Sequence, residues 1–139
     1  MCSSDLTTID PEVENQRAAR EAFAEARIRS PRVRTIAGQP RDVIGRLTDH
    51  AYDLVSFPAH APHAVDLLEH ARRLLRPGGV LVIPHALFHD RVADPTARDA
   101  STRAVRELLR AVAEAEDLVP ALTGSGDGVL AAVLRPRRG

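Results

Sequence analysis

The chain has no lysine. All 19 of its basic side chains are arginine, balanced by 19 acidic ones for a formal charge of zero. An all-arginine complement points to a GC-rich coding sequence. The arginines form no basic stripe, so nucleic acid is not an implied partner. A single cysteine, Cys2, excludes an internal disulfide and is compatible with a reducing compartment. No apolar run is long enough for a membrane span, and there is no signal-peptide core. The expected location is the cytoplasm, with no membrane partner.

What is present suits one domain: a chain of 139 residues can bury about 68–70% of its unfolded surface. The organising stretch is Leu-Leu-Arg-Pro-Gly-Gly-Val-Leu-Val-Ile at 74–83. Ahead of it, Ala64, Leu67, Leu68, Ala71, Leu74 and Leu75 have helical spacing. Pro77 stops a helix, and Gly78 and Gly79 are expected to supply its left-handed cap. Residues 80–83 are a short apolar run, as in a strand buried on both faces. Helix, turn and buried strand make the second half of a crossover unit, the building block of parallel sheets.

In chain order, 6–9 reads as a strand. Asp10 is expected as N-cap of a helix to about 27, with Pro11 at its first position and Ala19, Ala22, Phe23 and Ala26 buried. A strand over 33–37, a turn at 38–40 and a short helix over 41–47 follow, with Val43, Ile44 and Leu47 inward. The next strand is 52–57, and Pro62 opens the helix described above. After a loop at 84–93, Asp94-Pro95 repeats the start signal for a helix to about 116. Its stripe is Val105, Leu108, Leu109 and Val112, with Ser101 and Thr102 facing solvent. Strands over 118–123 and 129–134 flank the Gly-rich loop 124–128 as a hairpin. The fold class is therefore α/β, a doubly wound sheet with ligands at the carboxyl ends of its strands.

Five motifs occur in a set order. They are Asp10-Pro11-Glu12, Tyr52-Asp53-Leu54-Val55, Leu74 through Val82, Arg91-Val92-Ala93-Asp94, and Gly126-Asp127-Gly128-Val129. Together they resemble the catechol-type O-methyltransferase family, in an actinobacterial branch, which uses S-adenosylmethionine. The resemblance implies a Rossmann-like class I methyltransferase sheet of order 3-2-1-4-5-7-6, ending in an antiparallel hairpin. The family's first, central strand and its Gly-rich loop have no counterpart here, because 6–9 matches the second strand. Residues 2–6 read as the translated end of a common sequencing adapter. The expected division is therefore an adapter-derived segment at 1–6, a partial methyltransferase domain at 7–135 and a tail at 136–139. On that reading Cys2 is no nucleophile.

By position, the resemblance implies Thr8 or Asp10 at the cofactor ribose. It implies Gly38, Gln39, Pro40 and Arg41 around the adenine, and Phe57, Pro58 and Ala59 bordering the cofactor. Asp10 has a competing role as a helix cap and Gly38–Arg41 as a plain turn. The family's magnesium ligands fall on Pro58, Pro84 and His85, which do not offer the oxygen shell magnesium prefers. Its lysine base falls on Ala61. No metal is therefore assigned.

His60, His63, His85 and His89 could gather at the ligand edge, as transition-metal ligands or as a general base. The alternative is solvated loop histidines. His60 and His85, directly after strand ends, are the catalytic candidates, while Asp127 reads as a turn residue fixing the hairpin. The implied function is methyl transfer from S-adenosylmethionine to a small-molecule hydroxyl, independent of metal, with room for a homodimer in the full-length form. The rival is a non-catalytic methyltransferase-like binding or dimerisation subunit. A nicotinamide-dependent dehydrogenase would share the acidic end of the second strand but not the closing hairpin.

Overall fold

The computed structural model describes residues 5–136; the expectations for Cys2 and most of the tail lie outside them. The chain divides into two compact units, Met1–Arg46 and Leu47–Gly139.

In the first unit, strands β1 (Leu6–Asp10) and β2 (Val33–Ala37) pair in parallel, from Leu6 opposite Val33 to Asp10 opposite Ala37. Helix α1 (Val13–Glu25) connects them. It starts later than expected, because Asp10 ends the strand instead of capping the helix. One carboxylate oxygen of Asp10 accepts the Glu12 N–H at 2.7 Å and the other accepts from Asn15 Nδ2 at 3.1 Å. A carboxylate turned onto the N–H two residues on makes an Asx-type turn. The expected buried face is also corrected. Ala19 and Phe23 are half-buried, but Ala22 and Ala26 are exposed, and the one buried residue of α1 is Gln16. Its Nε2 donates to the carbonyls of Asp10 and Ile36, at 3.3 and 2.9 Å, tying the helix to both strands. A two-stranded sheet is too narrow to cover a full helical stripe. A short helix α2 (Pro40–Val43) and a 3₁₀ turn (Ile44–Arg46) close the unit, with Ile44 buried.

The second unit is a four-stranded sheet of order β3-β4-β6-β5. Strand β3 (Tyr52–Ser56) leads through helix α3 (Ala64–Leu74) to the parallel strand β4 (Leu75–Pro84). Helix α4 (Ala100–Glu114) leads to β5 (Leu118–Thr123), which pairs antiparallel with β6 (Val129–Leu134). Strand β6 also runs antiparallel to β4. The core joins Leu67, Leu68, Ala71 and Leu74 of α3 to Val105, Leu108 and Val112 of α4, over Leu81, Ile83, Leu118 and Leu130 of the sheet. The other face is barer: Leu54, Val80, Val133 and Val119 form one row across four strands. Three of these are exposed, and Val80 is half-buried instead of fully buried as its apolar run suggests.

Two helix boundaries depart from expectation. Helix α3 ends at Leu74 and Leu75 is already extended, so Gly78 and Gly79 are not its cap. Tyr52 pairs with Leu75 and Leu54 with Val80, so residues 76–79 bulge from β4 opposite Asp53 alone. Arg76 holds the Asp53 carboxylate across this bulge. A Cβ on Gly79 would sit 2.9 Å from the Arg76 carbonyl oxygen, which is why the bulge needs glycine there. Helix α4 is capped by Asp99, not Asp94. Asp94 instead accepts from the Thr96 N–H (2.9 Å) and hydroxyl (2.7 Å). Thr102, expected to face solvent, is fully buried because its hydroxyl donates to Asp99 at 2.8 Å and accepts from Arg91 Nε at 3.1 Å.

The two strand orders match the 3-2 and 4-5-7-6 portions of the sheet that the resemblance implies. Among the described residues, β1 pairs only with β2, and β3 only with β4. Each sheet thus has one open edge where the resemblance expects a central strand.

Candidate active-site residues

Chemistry-bearing residues collect at the carboxyl ends of parallel strands, in each unit separately. In the first unit, Gly38 N–H donates to the Asp10 carbonyl at 3.3 Å, joining the two strand ends. Gly38 has φ +148°, and a Cβ there would come 3.0 Å from Val43 Cγ2, so this turn excludes a side chain. Gln39 precedes α2 and Pro40 opens it, the Gln39 carbonyl accepting the Asp42 and Val43 N–H groups. Asp10, Gly38, Gln39, Pro40 and Arg41 are therefore at or next to one edge. Thr8 sits two residues back, paired opposite Thr35 inside the strand. The Asp10 carboxylate accepts two hydrogen bonds from its own chain. A carboxylate offers about four acceptor sites, so it retains capacity for a ligand's hydroxyls.

In the second unit, the Ala59 N–H donates to the Pro84 carbonyl at 2.9 Å and aligns the segments leaving β3 and β4. Phe57 and Ala59 are buried and Pro58 half-buried, so they pack this edge, while His60 is exposed. His60 and His85 are brought together, their rings meeting edge-on at 5.6 Å between centroids. His60 also stacks on Phe88, at 6.2 Å and 24°. His60, His63 and Phe88 line a cavity of about 530 Å³ with Pro62, Val65 and Ala104. The remaining histidines have local roles. His50 Nδ1 is 3.0 Å from the Leu75 carbonyl, His70 Nδ1 is 3.4 Å from Arg73, and His63 precedes α3 in a left-handed conformation.

Asp127, read from the sequence as a turn residue, is more than that. Its Oδ2 is 3.1 Å from His85 Nδ1, and its Oδ1 accepts the His89 N–H at 2.7 Å. That N–H, with His85 second among the groups acting to lower it, holds the carboxyl below its usual range. The available signal was pairing register. Antiparallel β4 and β6 set Pro84 opposite Val129, so the residue after Pro84 must meet the loop before Val129. The Ala86 and Leu87 N–H groups seal that junction by donating to the Gly128 and Asp127 carbonyls, at 3.1 and 2.9 Å.

Among the described residues, no group of three His, Cys, Asp or Glu side chains is arranged to hold a metal ion. The transition-metal reading of the histidines therefore has no donor set. At the positions where the resemblance puts the family's magnesium ligands, Pro58 and Pro84 carry no side-chain donor.

Parallel strands joined by helices, with the candidate residues at their carboxyl ends, give an α/β protein of the Rossmann-like class. The chain belongs to the O-methyltransferase family, whose model matches residues 3–135. It is 52% identical over 128 residues to a probable O-methyltransferase of Mycobacterium tuberculosis (strain H37Rv), covering 92% of this chain and 57% of that one. A Corynebacterium glutamicum crystal structure superposes with TM-score 0.89 at 34% identity, over 96% of this chain and 62% of that one. An O-methyltransferase from Bacillus cereus, solved with S-adenosylhomocysteine, shares the fold at 20% identity. Its TM-score is 0.79, over 94% of this chain and 63% of that one. The chain thus spans less than two thirds of the length of each of these proteins.

Proposed function

We propose that this chain is the larger part of an S-adenosylmethionine-dependent O-methyltransferase that acts on a small-molecule hydroxyl without magnesium. The observation that carries the reading is family membership at 52% identity. Asp10 would accept from the ribose hydroxyls, and the side-chain-free turn at Gly38 with Gln39 and Pro40 would frame the adenine. Bound S-adenosylmethionine supplies a methyl group made electrophilic by its sulfonium. The chain's own task is then to position the acceptor oxygen in line and to take up its proton. His60, on the cavity wall, and His85, in contact with it, are the candidates for that base. With prolines in place of two oxygen ligands, no step in this reading passes through magnesium. Among the described residues, no helix is long and apolar enough to cross a membrane.

The same prolines favour a second reading, a methyltransferase-like subunit that binds without catalysis. The test is transfer of labelled methyl to a panel of small phenols and alcohols, with chelator or with magnesium. It uses this chain and a form extended to the length of its relatives. Transfer by the extended form in chelator is expected. A rate restored only by magnesium overturns metal independence, and cofactor binding without transfer to any hydroxyl favours the non-catalytic subunit.

A further inference from the structure

We infer that Asp127 is the positioning residue of a His85–Asp127 pair, which fixes the imidazole in the tautomer whose Nε2 can take a proton. This rests on the transferase reading only for the identity of the reaction; the pair itself rests on geometry. Asp127 Oδ2 lies 3.1 Å from His85 Nδ1. The Asp127 side chain is only 18% exposed, while that of His85 is 50% exposed. An ionised carboxylate can only accept, so a neutral His85 must carry its proton on Nδ1 and donate it to Asp127. Nε2, on the other side of the ring, is then the bare acceptor.

The surroundings fix this geometry. His85 takes a left-handed φ of 60° immediately after β4, a conformation that costs energy unless neighbours impose it. The neighbours are the hairpin carbonyls of Gly128 and Asp127, which receive the next two N–H groups. The second oxygen of Asp127 is engaged by the His89 N–H, so the carboxylate cannot swing away from His85 without losing a bond. The His60 ring meets His85 edge-on and faces the cavity, so an acceptor there is bounded by His60 with His85 behind it.

In the reaction, the substrate hydroxyl oxygen attacks the sulfonium methyl. The new C–O bond forms as the S–CH₃ bond breaks, and that bond's electron pair stays on sulfur to leave a neutral thioether. His60, on the cavity wall, takes the hydroxyl proton at one ring nitrogen and gives up the proton of the other to His85 Nε2 behind it. The resulting imidazolium is stabilised by Asp127, which stays ionised, in the manner established for His–Asp pairs in hydrolases.

The test has two arms, and the first needs no activity. Nitrogen-15 long-range NMR on the 139-residue chain reads the tautomer of neutral His85, assigned with His85→Gln. The Nδ1–H form is expected in the parent. In Asp127→Asn, the amide oxygen can keep the His89 N–H while the NH₂ faces His85 and forces the Nε2–H form. The same tautomer in both proteins, or Nε2–H in the parent, overturns the pair whatever the reaction. The second arm measures methyl transfer by the form extended to the length of its relatives. Asp127→Asn should lower kcat about 10²-fold with KM changed less than about twofold, a split that loss of packing would not produce. A tautomer switch with undiminished kcat overturns the positioning role and leaves the transferase reading standing. A tautomer switch with no transfer by the parent removes the transferase reading, and the catalytic role with it.

Discussion

Asp99 and Thr102 show how much one residue can settle. Asp99 accepts the Thr102 N–H at 3.0 Å, the Thr102 hydroxyl at 2.8 Å, and an Arg91 guanidinium N–H. Its carboxyl is held far below the usual range, first by the Thr102 N–H and then by Arg91. Because its folded value is depressed, the unfolded chain binds the proton more readily. The cap's stabilisation is therefore complete above the ordinary carboxylate value of about 4. It drains away as the pH falls through the folded value. Acid titration of helix unfolding should show an acid-labile contribution that Asp99→Asn removes. Thr102→Val should cost about 1 kcal/mol at neutral pH by thermal melting, since it removes a buried hydroxyl that donates to Asp99 and accepts from Arg91. This cap was only half legible in the sequence. Asp94-Pro95 carries the stronger start signal, but Thr96 captures Asp94 locally, and the choice of Asp99 depends on Arg91, a partner eight residues back that no helical pattern announces. The partner of Asp127 was not legible for the same reason: His85 is distant in sequence, and only sheet register brings the two together.

At the scale of elements, the hairpin was the easiest part to read. Strands over 118–123 and 129–134 were expected and are found, because two apolar runs flank an unmistakable Gly-rich loop. The end of α3 was not legible, although Pro77-Gly78-Gly79 is a strong turn signal. The turn is real, but it serves as a bulge inside β4, fixed by Asp53 from another strand. Where the hairpin meets the loop after β4, Gly128 is the critical residue. Its φ is +82°, and a Cβ would lie 2.5 Å from Leu87 Cγ and 3.0 Å from the Leu87 nitrogen. Gly128→Ala must strain the turn and push the His85–Leu87 segment off the hairpin. It should cost more than about 1 kcal/mol in denaturant melts, and it should perturb the His85 and Asp127 NMR signals more than those of α4. A variant that melts like the parent with those signals unmoved would mean that the junction is looser than its geometry implies.

Among the described residues, β1 and β3 each lack a strand partner on one side, and one face of the four-stranded sheet is bare. The strand orders were legible through the family resemblance, which implied both portions of the sheet. Hydrophobic pattern alone did not tell that β1 and β3 remain unpaired on one side each. Backbone groups on such edges lose ladder partners and offer a template for association. Leu54, Val119 and Val133, each more than 40% exposed on one face, add apolar surface that a doubly wound sheet ordinarily covers. The nucleoside-binding candidates sit in the smaller unit, where α1 buries one residue and the sheet has two strands. That unit has little core to hold Asp10 and Gly38 in a binding geometry, so ordering it on a ligand would consume much of the binding energy. The 139-residue chain should therefore melt broadly, with β1 and β2 exchanging amide hydrogens faster than β4 and β6. Calorimetric titration with S-adenosylmethionine should give no binding in the micromolar range. A form extended to the length of the mycobacterial relative should melt sharply and bind. Micromolar binding by the 139-residue chain as a cooperatively folding monomer would show that the open edges cost it little, and that the cofactor needs nothing beyond the residues described.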